Sequence, residues 1–134
     1  MSALRVSVAG IAVEGQKLFI ARRKPGGDLG GKWEFPGGKT EKGESDQAAL
    51  VREFQEEFGI AVETGAFLGS AVFEHRGAAY DLHAYRIFFT PQPFRPAEHT
   101  EWRWAGLEEL ETLDFAGSDR LLFPLLKTYL EGQA

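Results

Sequence analysis

Residues 52–60 read Arg52-Glu53-Phe54-Gln55-Glu56-Glu57-Phe58-Gly59-Ile60. At 100° per residue, Glu53, Glu56 and Glu57 fall within about a third of a helix circumference. Like charges at i,i+4 destabilise a helix by roughly 0.2–0.5 kcal/mol per pair, so acids grouped this way call for an offsetting charge or for open water. Leu50, Phe54 and Phe58 lie four apart and form an apolar stripe, with Val51 beside them. The pattern predicts a helix over Asp46–Phe58 that Gly59 stops. The mean direction of the three glutamates lies about 120° from the stripe, so the carboxylates flank the core-facing side and are placed to line a cleft. Taken alone, E-x-x-E-E reads as a solvated acidic face. A hard divalent cation would also explain the grouping, because magnesium uses a few carboxylates together with substrate phosphates.

Outward from the helix, the preceding loop is Phe35-Pro36-Gly37-Gly38-Lys39-Thr40-Glu41-Lys42-Gly43-Glu44-Ser45. Gly37 and Gly38 allow backbone to approach a ligand closely, and Lys39 puts a cation beside that turn. Glu44 lies just ahead of the helix. Arg52 stands four residues before Glu56 and is placed to hold a carboxylate in one orientation.

The rest of the chain alternates strands and turns. Residues 4–13 and 18–23 read as strands of a hairpin around the turn 14–17, and residues 24–32, with four glycines and a proline, as a loop. Trp33-Glu34-Phe35 is a short strand before a second glycine turn at 36–44. Two further strands are expected over 61–73 and 80–90, a proline-rich loop over 91–99, and a short strand over 101–105. A last helix lies within 118–132 and either starts near Pro124 or kinks there. Strands with two helices make a mixed α/β domain. The three histidines do not form a metal-spaced set and read as packing or surface residues.

The gross numbers fit one domain. The chain has 134 residues, 43% of them hydrophobic. A net charge of −5 argues against coating duplex DNA or an anionic membrane. It leaves room for a small anionic ligand met by local cations. With no cysteine there is no disulfide framework or thiolate site. No signal peptide or membrane-length apolar run is visible. A cytoplasmic setting is the expectation.

Gly38, five residues, Glu44, seven residues, then Arg52 through Ile60 resembles the Nudix hydrolase signature over 23 residues. Phe54 stands where that pattern takes an aliphatic residue, and it keeps the position apolar. The resemblance implies a loop–helix–loop within an α/β/α sandwich around a mixed β-sheet, as one domain over 1–134. It implies hydrolysis of a nucleoside diphosphate linked to another group, with Mg2+ or Mn2+. The similarity extends over nearly the whole chain to the MutT-like branch and the cytosine-nucleotide hydrolases close to it. By that similarity Gly37, Glu53, Glu56, Glu57 and Glu98 are metal ligands. Glu53 or Glu98 takes the proton from water, with Arg52 and Glu44 in support. Arg23, Gly38 and Lys39 meet substrate phosphates, and Asp119 reads the base.

The branch implies that water attacks the β-phosphorus of a nucleoside triphosphate, giving monophosphate and pyrophosphate. Oxidised guanine nucleotides such as 8-oxo-dGTP come first as substrates, in nucleotide-pool sanitisation that spares DNA from damage and repair. Cytosine nucleotides are the alternative, and removal of 5′-pyrophosphate from RNA a third. Asp119 stands where MutT has asparagine, and Asp28 where it has histidine, which leaves the base open. The expected molecule is a monomer or weak dimer taking a small nucleotide, with no membrane and no stable nucleic-acid partner. An ionised Asp119 only accepts hydrogen bonds, which suits the N1 and N2 donors of guanine-type bases.

Overall fold

The computed structural model describes residues 4–133, so both ends of the expected 1–134 domain lie outside the described residues. Strand β1 (Arg5–Glu14) is buried on both faces over its middle, which is why that part reads as an apolar run. Strand β2 (Lys17–Arg23) follows it, and the expected hairpin forms, but only through Val13↔Leu18 and Glu14↔Lys17. Beyond that pairing β2 joins two partners from later in the chain, β3 (Trp33–Glu34) and β7 (His99–Gly106). Strand β1 instead pairs in parallel with β6 (Ala78–Phe88) and antiparallel with β4 (Gly37–Lys39). Strand β5 (Glu63–His75) pairs antiparallel with β6. The mixed sheet is seven-stranded and runs β3-β2-β1-β6-β5, with β4 added to β1 and β7 to β2.

Alternate residues of β1 and β2 enter opposite cores, as the period of two requires. Val8, Ala12, Phe19 and Ala21 pack with Leu50, Phe54 and Phe58 of helix α1 (Asp46–Phe58). Ile11, Leu18 and Ile20 pack in the other core with Leu110, Leu126 and Leu130. Leu110 belongs to α2 (Leu107–Thr112), and Leu126 and Leu130 to α4 (Phe123–Gln133), with a single turn, α3 (Gly117–Arg120), between them. Helix α1 begins where Ser45 Oγ accepts the Ala48 N–H at 3.1 Å and ends at Gly59 in the left-handed region, φ 67°.

Three expectations change. The segment 36–44 is not all turn: Gly37–Lys39 pairs with β1, because a segment of three residues carries no readable alternation. Helices α2 and α3 were not expected, being too short for a 3.6-residue period to show. Val51 leaves the core stripe and is 44% exposed. Pro124 falls in the first turn of α4, where a missing N–H costs little.

Candidate active site

Strand β4 presses loop backbone against α1. A Cβ at Gly37 would run into the Val8 carbonyl, and one at Gly38 would lie 2.7 Å from the Glu53 carboxyl carbon. Glycine at 37 lets β4 lie this close to β1 backbone, and a side chain at 38 would displace the Glu53 carboxyl.

Arg52 answers the charge question posed by the helix. Its Nε and Nη2 donate to the two oxygens of Glu44 at 2.8 and 2.9 Å. Its Nη1 donates to Glu53 at 2.8 Å and to Glu56 at 3.2 Å, and Nη2 also reaches the Lys39 carbonyl at 3.1 Å. One guanidinium thus ties three carboxylates and the preceding loop. The i,i+4 bond to Glu56 exists but is longer than the bonds to Glu44. The Arg52 hydrogen bonds hold the Glu44 carboxyl down to about 2 and raise Arg52 itself. Burial pushes Glu53 up in spite of its bond to Arg52.

Glu57 differs from its neighbours. It is 5% exposed, and its Oε2 has no hydrogen-bond partner among the described residues. It shares a buried site with Glu34 and His99, whose ligating atoms lie within 4.8 Å of one another. Burial, with the charges of Glu34 and Glu53, pushes Glu57 up to about 9, against the opposing pull of Arg23 and a hydrogen bond from the Gly37 backbone. Glu34 is held by His99 Nε2 at 2.8 Å and Arg23 Nη1 at 3.2 Å. His99 stacks on Phe58, with centroids 4.9 Å apart. The packing role expected of His99 is present, but its contact with Glu34 was not foreseen, nor was Glu34. Their signal lay in strand register, since Arg23↔His99 and Ala21↔Glu34 are cross-strand pairs.

A buried carboxylate oxygen without a partner among the described residues, beside the second carboxylate of Glu34 and the His99 ring, fits a divalent cation. Glu98 is exposed, next to His99 on the chain, and its carbonyl accepts the Lys24 N–H at 3.0 Å.

A cavity of about 420 Å³ opens beside these groups, lined by Arg23, Glu34, Gly37, Gly38, Lys39 and Asp119 among others. The Lys39 ammonium sits 5.0 Å over the Tyr80 ring. Asp119 is 7% exposed. Its Oδ2 accepts the Phe35 N–H at 2.9 Å, and its Oδ1 the Ser118 hydroxyl at 3.3 Å. It caps no helix, because the residue before α3 is Ala116 and no side chain caps that turn. Burial and the Glu34 charge push Asp119 up to about 7. This upward shift favours the protonated form beside the ionised acceptor expected from the sequence.

The family model for the NUDIX domain matches residues 1–126. The CTP pyrophosphohydrolase of Escherichia coli (strain K12) is 35% identical over 123 residues, covering 92% of this chain and 89% of that one. The 8-oxo-dGTP diphosphatase of Proteus vulgaris is 46% identical over 100 residues, covering 75% and 79%. The solution structure of the E. coli ORF135 protein superposes with a TM-score of 0.80 at 34% identity, covering 98% of this chain and 91% of that one. Among the described residues no helix is long and apolar enough to cross a membrane.

Proposed function

The chain belongs to the Nudix hydrolase family and is a nucleotide diphosphatase, and from that premise we propose that it hydrolyses nucleoside triphosphates to monophosphate and pyrophosphate, with 8-oxo-dGTP among its best substrates. The observation that carries this reading is the cavity itself, whose lining includes both Asp119 and strand β4 (Gly37–Lys39), the strand that lies against Glu53 and Glu57. Among the described residues, Oδ1 of Asp119 has one long hydrogen bond and Oδ2 one from the Phe35 N–H, so the ionised form keeps lone pairs to accept the N1 and N2 donors of a guanine-type base.

In this reading Gly37, Glu53, Glu56, Glu57 and Glu98 would hold Mg2+ or Mn2+, and the ion would supply positive charge against that building on the phosphate oxygens. Arg52 fixes Glu53 and Glu56, and through Glu44 it fixes the loop bearing Lys39. Arg23 and Lys39 meet the phosphates. Glu53 or Glu98 accepts a proton as water oxygen bonds to the β-phosphorus and the bridging oxygen leaves with the monophosphate. Glu53→Gln and Glu56→Gln are each expected to lose most turnover while still folding, as circular dichroism would show. Near-normal kcat in either removes that residue from the site.

A second reading rests on the raised Asp119 carboxyl. Its protonated form offers a donor to N3 of cytosine beside an acceptor for the N4 amino group, which an ionised carboxylate does not. A nucleotide panel scored by pyrophosphate release, run from pH 6 to 8, separates the two. Guanine-type preference should strengthen as pH rises, and cytosine preference should weaken. Asp119→Ala should lower kcat/KM for the preferred base by about 10- to 100-fold, a charged hydrogen bond being worth about 1.5–3 kcal/mol. Equal losses for every nucleotide would take Asp119 out of base reading.

A further inference from the structure

Arg76 is the one non-glycine residue with positive φ among the described residues, at 50°. It forms a two-residue turn with Gly77 between the paired His75 and Ala78, a place where asparagine, aspartate or glycine is usual. An arginine there has a disfavoured backbone, and such residues persist where the surroundings hold them. The Arg76 side chain reaches across to the glycine-rich loop 24–32. Its Nε and Nη2 both meet Asp28 Oδ2, at 2.9 and 2.7 Å, and His75 Nε2 lies 3.7 Å from the same oxygen.

The two segments are 48 residues apart in sequence, and both contribute to the lining of one cavity. Leu29 of the loop lines the cavity, and so do Phe73, Glu74 and His75 of β5. The base of the loop is tied by Gly31 N–H to the Arg23 carbonyl at 3.0 Å and by Arg22 Nε to the Gly31 carbonyl at 3.0 Å. For residues 26–29, the side-chain hydrogen bonds and ion pairs to other parts of the chain, among the described residues, all run from Asp28, to Arg76 and to His75.

We propose that the Asp28–Arg76 pair is a latch that holds the glycine loop against the β5–β6 turn where both segments line the cavity, making both positioning residues for nucleotide retention. The proposal rests on the reading that nucleotide occupies this cavity. Both partners are largely exposed, and exposed pairs are weak and salt-sensitive. The latch is therefore a reversible restraint, with effects of a few-fold.

The test compares Arg76→Asn, Asp28→Asn, the double variant and the exchanged pair Asp28→Arg/Arg76→Asp. Asparagine and aspartate accept positive φ, so the turn should survive and the melting temperature should not fall. Each single variant should raise KM for the best nucleotide about 3- to 5-fold, with kcat kept or raised. The double variant should be no worse than the singles, and the exchanged pair should recover much of the loss. Amide exchange at Gly30–Lys32 should quicken in the singles without any nucleotide present. In 0.5 M salt the difference from the parent should shrink. Unchanged KM in both singles, additive losses in the double, or no recovery on exchange overturns the latch. If the parent turns over no nucleotide while amide exchange still quickens in the singles, the functional reading fails, and the latch is overturned as a device for nucleotide.

Discussion

Burial beside Glu34 and Glu53 holds the Glu57 carboxyl up to about 9, against about 4.3 for an unperturbed glutamate. Between those values the folded chain binds more protons than the unfolded one. Stability of the metal-free protein should therefore fall as pH rises through that window. Glu57→Gln should flatten the fall, with a higher melting temperature than the parent at pH 8 in chelator, and should lose turnover. A lower melting temperature for that variant would mean that the carboxylate is stabilised by its surroundings. Glu57 itself was legible from the signature, but its separation from Glu53 and Glu56 was not. Helix angle alone places the three side by side. What divides them is the sheet beneath: His99 and Glu34 arrive on β7 and β3, and only their pairing to β2 brings them to Glu57. Sequence spacing of 65 residues between Glu34 and His99 gives no hint of it.

Helix α1 was legible nearly to the residue because two cues agree, the apolar stripe and the glycine stop, and the structure adds a serine cap. Strand β4 and helices α2 and α3 have three, six and four residues and so each span fewer than two periods, too few for a repeat to show in the sequence. A contact invisible to local pattern also anchors the start of α1. His83 on β6 bonds Asp46 through Nδ1 at 2.6 Å and Asp81 through Nε2 at 3.0 Å, and the Tyr85 hydroxyl reaches the same Asp46 oxygen at 2.7 Å. Burial lowers the His83 pKa, but the bonds to Asp46 and Asp81 outweigh it, and the net shift is upward. The stabilisation is fully present below about 6.5 and is lost as pH rises through the raised folded value. Glu57 gives a slope of the same sign. The two are separated by comparing thermal melts of His83→Gln and Glu57→Gln in chelator from pH 5 to 9. His83→Gln should lose stability mainly at the acid end. Equal loss at every pH would show that the ring is held by packing instead.

At the scale of the whole molecule, in the proposed reading, a chain of net charge −5 would meet its anionic substrate through the local cations Arg23 and Lys39, and its buried acids would hold a divalent ion. An ion bound only by the folded state stabilises by RT ln(1 + [L]/Kd). Without nucleotide the phosphate oxygens that complete the coordination are missing, so affinity should be modest. At an ion concentration equal to Kd the gain is RT ln 2, about 0.4 kcal/mol. For a domain of this size that is roughly a 1–2 °C rise in melting temperature. With a non-hydrolysable triphosphate added, a hundred-fold excess over Kd gives about 2.7 kcal/mol, or roughly 5–10 °C or more. The rise should be larger at pH 8 than at pH 6, because protons compete for Glu57 over that range. Chelator should abolish pyrophosphate release, and added Mg2+ or Mn2+ should restore it. Full turnover in excess chelator would dissociate the acid cluster from catalysis. A melting temperature unmoved by ion and nucleotide together would dissociate it from binding as well.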